Sequence, residues 1–261
     1  VKNGRPVSEH IYDGMQEPIF SVLPQRVVEN FGKRSSENAL LWNTFYPRRN
    51  QLDLASLFTL RPSWGTMKVV EPEQLTPYFW GYGVDGSRLR NLDLILNAVD
   101  GAGQKTEIDL FLLGKRSLVV VEAKNTSHLG RCQRFQQGRC PEIQKMCPVQ
   151  DAAQQQENCR YWHVPEARFD ELLNIAHPLA RGDGSRPACD RHYQLARTLL
   201  IGSRLAASLD LQLCIWLLMP HRRWSVFEKT WLDFSRHIKK EEIWRNARVI
   251  SWEAVGEIAA R

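Results

Sequence analysis

The chain has 261 residues, 43% hydrophobic and 25% charged, which is enough apolar material for one substantial core and too much for a disordered chain. No apolar run approaches the roughly 20 residues needed to cross a bilayer, so no membrane partner is expected. With 35 Lys and Arg against 29 Asp and Glu, the net charge of +6 suits a polyanionic partner without requiring one.

The opening VKNGRPVSEHIYDG has no basic patch followed by an apolar stretch, so it does not read as an export signal, and a cytoplasmic location is expected. A start at Val1 suggests a trimmed beginning. Residues 1–34 read as an N-terminal helical extension, with a short helix over 23–33. A second helix is expected from Ser36, whose hydroxyl can cap ENALLWNTFY until Pro47 stops it. Leu40, Leu41, Trp42, Phe45 and Tyr46 give that helix a broad apolar face. LDLASLFTL at 52–60 continues in helical character. The segment 61–90, full of Pro, Gly and Trp, reads as loop, with Trp80 as a core plug ahead of a base-stacking platform.

Three runs of strand formers follow: LDLILNAV (92–99), TEIDLFLL (106–113) and LVVVEAK (118–124). The turn clusters DGAGQ and GKRS separate them, so an antiparallel meander is predicted. Residues 125–190 form a cysteine- and glutamine-rich insertion with a helix around 149–162. RHYQLARTLLIGSRLAASL (191–209) reads as a long helix and LQLCIWLLMP (211–220) as a strand covered on both faces. A helix with a basic face and interleaved aromatics is expected over about 226–242, and ARVISWEAVGEIAA as a strand and a short helix. Helices flanking a central mixed sheet make the fold α/β, with 35–261 as its main domain.

The hairpin 106–124 carries the chemistry. Side chains alternate along a strand, so Glu107 and Asp109 share a face, as do Glu122 and Lys124. If Gly114 to Ser117 form the connection and Leu113 pairs with Leu118, Asp109 falls opposite Glu122 and Glu107 opposite Lys124. Directly opposed Cβ atoms stand about 4.5–5.5 Å apart. Two carboxylates at that spacing repel unless a cation lies between them. The bland alternative is an exposed ion-pair ladder on a sheet edge. Against it, the neighbouring residues are Ile, Leu, Phe and Val, among which each unpaired ion costs several kcal/mol.

Asp109, twelve residues, then Glu122-Ala123-Lys124 on the hydrophobic strand VVVEAK resembles the core of the PD-(D/E)XK nucleases, in the expected context of a helix followed by a β-hairpin. The resemblance spans roughly residues 35–220, with its specific part in the hairpin. It implies a restriction-endonuclease-like core with a cysteine-containing insertion, and Mg²⁺- or Mn²⁺-dependent hydrolysis of DNA. Asp109 and Glu122 would hold the metal, with Lys124 acting on the attacking water or the charged transition state. The family often adds a carboxylate from the preceding helix, for which Glu37 is the candidate; a favourable acid in a first helical turn is the equal alternative. It also often carries a glutamine on a later helix, for which Gln194 and Gln156 compete. A homodimer is the simplest arrangement for cutting both strands.

Cys132, Cys140, Cys147 and Cys159 lie just past the lysine strand, and four thiols so close together invite Zn²⁺ or an iron–sulfur cluster. No CxxC pair is present, and buried free cysteines are the alternative. Cys189 and Cys214 lie apart from that group, and Cys214, inside LQLCIWLL, reads as core. Two further readings of the whole chain stay open: a catalytically silent nucleic-acid-binding module, and an α/β protein with a structural zinc and a protein partner.

Overall fold

Two almost unbroken apolar runs, SLVVVEA and QLCIWLLM, form the central strands of a six-stranded mixed sheet with order β1-β6-β5-β4-β3-β2. The strands are β1 Ser63–Gly65, β2 Thr76–Phe79, β3 Leu110–Leu113, β4 Ser117–Ala123, β5 Gln212–Met219 and β6 Ala247–Ser251. The computed structural model describes residues 9–33, 35–103, 105–144, 158–178 and 186–258. β4, β5 and β6 run parallel, while β3 pairs antiparallel with β4, β2 with β3, and β1 with β6. Every residue of β4 is buried, as a central strand covered on both faces requires.

Strand alternation divides the core in two. Phe111, Leu118, Val120, Ile215 and Leu217 pack on one face with Leu195, Leu199 and Leu205 of the helix Tyr193–Leu209. Leu110, Leu112, Val119, Val121, Trp216 and Leu218 face the other side, against Trp42 and Phe45 of the helix Glu37–Phe45. Ser36 caps that second helix as the sequence suggests, its hydroxyl accepting from Ala39 N at 2.9 Å. Asp53 caps Leu54–Thr59 in the same way. Trp80 is buried, edge-on to Phe31, and plugs this core. Cys214 is likewise a core residue.

The predicted meander is corrected at its first strand: 92–99 is not β but the helix Leu92–Asp100. Leu92, Leu94 and Leu96 alternate as a strand would, yet Leu92, Leu96 and Val99 also follow helical spacing. The helix wins, burying those three and leaving Leu94 69% exposed. Asn91, at φ 64°, and Gly101, at φ 67°, supply the left-handed breaks that bound it. The strand that pairs with β3 is instead β2, from the stretch expected to be loop. Pro77 disguises it, but β2 is an edge strand with only β3 as a neighbour, where a missing N–H is tolerated. The long helix predicted over 226–242 is two, Trp224–Arg236 and Glu241–Arg245. Of the helix predicted over 149–162, Arg160–His163 is described, while 149–157 lie outside the described residues, Gln156 among them.

Candidate active site

The hairpin pairs in the register that a four-residue connection implies, Leu113 with Leu118 and Leu110 with Val121, and Gly114 N closes the turn on Ser117 O at 2.8 Å. β3 begins only at Leu110, so Asp109 stands one residue before it, its carbonyl held by Trp80 N at 3.0 Å. The Asp109 carboxylate reaches across to β4 and accepts from Ala123 N at 2.8 Å. Two residues earlier the ladder has ended. Glu107 therefore does not face Lys124 as the register alone would place it; it pairs with Arg26 at 2.6 Å.

Glu122 lies on the β4 face covered by the helix Tyr193–Leu209, whose side chains recur there every fourth residue. Gln194 Nε2 donates to Glu122 Oε1, and Thr198 Oγ1 donates to Oε2 at 3.2 Å. One turn further on, a Cβ at Gly202 would stand 3.0 Å from Val120 and 3.1 Å from Leu213. The glycine therefore lets the helix lie close enough to the sheet for Gln194 and Thr198 to reach the carboxylate. Gln194 also accepts from Gly130 N at 2.5 Å through its Oε1, tying the loop after β4 to the site.

Lys124 is buried directly beyond β4. Its ammonium donates to Glu122 Oε1 at 2.6 Å and to the Ala123 carbonyl at 3.0 Å. Its backbone continues the parallel pairing, N to Leu218 O at 2.7 Å, while its carbonyl accepts from Trp252 Nε1 at 2.8 Å. Glu37, in the first turn of its helix, accepts from Asn125 N at 2.6 Å and from the Ser127 hydroxyl at 2.7 Å. Arg223 donates to the Asn125 and Ser127 carbonyls, so this loop is held from both sides.

The charges are unbalanced: Asp109, Glu122 and Glu37 meet the single ammonium of Lys124. Burial and the neighbouring Glu122 push the Asp109 carboxyl well above its ordinary range, with Lys124 opposing. For Lys124 burial works downward, but Glu122 and Asp109 outweigh it and hold the amine above its usual value. Glu37 is desolvated too, yet the Asn125 amide and Lys124 bring its carboxyl below normal. These are hard oxygen donors short of positive charge, the chemistry a divalent cation takes, although their oxygens are not gathered within 4.8 Å of one another as two histidine–carboxylate clusters elsewhere are.

Asp109, Glu122, Lys124, Glu37 and Gln194 thus share one end of β4. Of the proposed thiol group, Cys132, Cys140 and Cys159 are described, the Cys140 segment tied to Cys159 through Glu142, while Cys147 lies outside the described residues. Two polar clusters escaped the sequence reading, Glu142–His163–His177 and His192–Asp233–His237, each with ligand atoms within 4.8 Å of one another. Asp233 and His237 are spaced i,i+4, but the remaining members come from distant segments that no spacing signals. His192 and Asp233 also line a cavity of about 230 Å³ with His128, Arg131, Arg191 and Lys229, beside the Gly130–Gln194 contact.

A family model described as restriction endonuclease associating with ARP matches residues 29–260. No curated protein sequence and no solved structure matches the chain. Among the described residues, no helix is long and apolar enough to cross a membrane.

Proposed function

Because the chain belongs to the family described as restriction endonuclease associating with ARP, we propose that it is a metal-dependent nuclease that hydrolyses DNA phosphodiester bonds with a PD-(D/E)XK site. The observation that carries this reading is the convergence of Asp109, Glu122 and Lys124 at the end of one hairpin, in a core where unpaired charge is costly. Asp109, Glu122, Glu37 and the Ala123 carbonyl are the groups that would hold Mg²⁺ or Mn²⁺. When bound, such an ion polarises a phosphoryl oxygen and lowers the pKa of water.

The chain's own groups divide the remaining work. Lys124, kept cationic by its two carboxylate neighbours, faces the charge that grows on the phosphate and orients the attacking water. Gln194 and Thr198 fix the Glu122 rotamer, so that its oxygens are aimed before substrate arrives. The cavity on the side of the site marked by Gly130 has Lys229 on its wall as a cation for the DNA backbone, with Arg131 and Arg191 there already paired to Asp190 and Asp233.

The test is plasmid cleavage with Mg²⁺ or Mn²⁺ against EDTA, comparing the native chain with Asp109→Ala and Lys124→Ala. Metal-dependent cuts by the native chain alone are expected. Undiminished cutting by either variant removes this mechanism, and salt-dependent DNA binding without any cleavage favours a silent binding module.

A further inference from the structure

The sequence groups Cys132, Cys140, Cys147 and Cys159 by proximity, but the fold adds a thiol from thirty residues beyond Cys159. Cys189 lies in the one-turn helix Ala188–Arg191, next to Asp190, which is fully buried. Asp190 Oδ1 accepts from Cys132 N at 3.1 Å, and its other oxygen takes Arg131. A second buried acid, Glu142, two residues after Cys140, accepts from Cys159 N at 3.0 Å. Two carboxylates therefore lash the four cysteine-bearing segments in pairs, Cys189 to Cys132 and Cys140 to Cys159.

The local backbone repeats as well. Cys132 (φ −65°, ψ 110°) and Cys159 (φ −66°, ψ 118°) have nearly the same conformation, each directly before a single helical turn. All four thiols are free, as is Cys214 on the far face of the sheet. We propose that Cys132, Cys140, Cys159 and Cys189 together ligate one iron–sulfur cluster.

Arg139 N donates to the Arg134 carbonyl at 2.7 Å, closing the turn between Cys132 and Cys140 and so joining the two pairs. Four thiols held in this way form a soft ligand set, which selects zinc or iron–sulfur. Spacing separates the two. Thiolates on one zinc, at about 2.3 Å from the metal, stand about 3.8 Å apart. No three of these sulfurs fall within 4.8 Å of one another, as the ligand atoms of the two histidine–carboxylate clusters do. A centre with several iron atoms, each taking its own cysteine, spans the wider gap.

The experiment is anaerobic purification of the full chain, with iron, zinc and acid-labile sulfide counted per chain and the visible absorption recorded. The native chain is expected to hold iron and sulfide in equal, stoichiometric amounts, with a broad absorption that bleaches on reduction. Cys189→Ser should lose most of that iron, whereas Cys147→Ser and Cys214→Ser keep it. Circular dichroism checks that each variant is folded, and if Cys189→Ser is not, the native iron and sulfide content decides. A native chain without iron, iron retained in folded Cys189→Ser, or one zinc in its place overturns the inference. Zinc indifferent to Cys189→Ser would point to Glu142, His163 and His177 instead.

Discussion

The oxygen-rich end of β4 and the thiol group just beyond it are built by opposite means. Asp109, Glu122 and Lys124 sit on or beside strands whose spacing is set by ladder hydrogen bonds, so one register fixes all three. The thiols sit at the ends of one-turn helices, where nothing periodic relates Cys132 to Cys189 or Cys140 to Cys159; single hydrogen bonds accepted by two buried acids do so. A sheet positions a site through its regularity. A set of loops positions one through individual ties, each of which can be cut separately.

Several substitutions sharpen that contrast. The largest effect is expected from Asp109→Ala or Lys124→Ala, with cleavage rates falling about a hundred- to a thousandfold or more, measured as initial plasmid nicking with saturating Mg²⁺. Next, Lys124→Ala strands the buried Glu122 and half-buried Asp109 carboxylates, so the metal-free fold should lose about 3–5 kcal/mol in urea unfolding, part of it restored by Mn²⁺. Unchanged stability would mean that Lys124 is not the counter-charge its contacts describe. Gln194→Ala removes a hydrogen bond to a charged group, worth about 1.5–3 kcal/mol, and should lower kcat more than it raises KM.

The pH dependence follows from Asp109. Its folded-state carboxyl is raised above the unfolded value, so the stability from its bound proton is present below the unfolded value and lost as pH rises through the folded one. On the proposed reading, a divalent ion would take that proton's place. The Tm increment from Mn²⁺ should therefore grow from mildly acidic to neutral pH, and an increment flat across that range would break the link. The smallest effect belongs to Leu94→Lys, expected within about 0.5 kcal/mol because the helix turns Leu94 to solvent, whereas Leu96→Ala should cost about 2–5 kcal/mol. Equal losses at both positions would restore the strand reading of this segment.

How much the amino-acid order reveals depends on whether a local period or a distant partner decides. The hairpin register, the Ser36 cap, the long helix bearing Gln194 and the buried strand 212–219 all follow from short-range pattern, and all are found. LDLILNAV misleads because leucines at 92, 94 and 96 satisfy two periods at once, and only the left-handed breaks at Asn91 and Gly101 separate them. Pro77 hides an edge strand for a comparable reason: its effect depends on which neighbour the strand lacks. Glu107 loses its expected partner because β3 starts late, and Cys189 is overlooked because its closeness to Cys132 runs through Asp190. Both outcomes are tertiary, and no window of sequence contains them.

The parallel neighbour of β4 is β5, where Glu122 lies across from Leu217, and the Lys124 carbonyl is held from Trp252. A ribosome that has released only the hairpin has therefore made every acidic group of the centre, but not the walls that aim them. The centre is completed only once β5 and Trp252 have followed the hairpin. A prematurely terminated product would carry the motif without the means to use it.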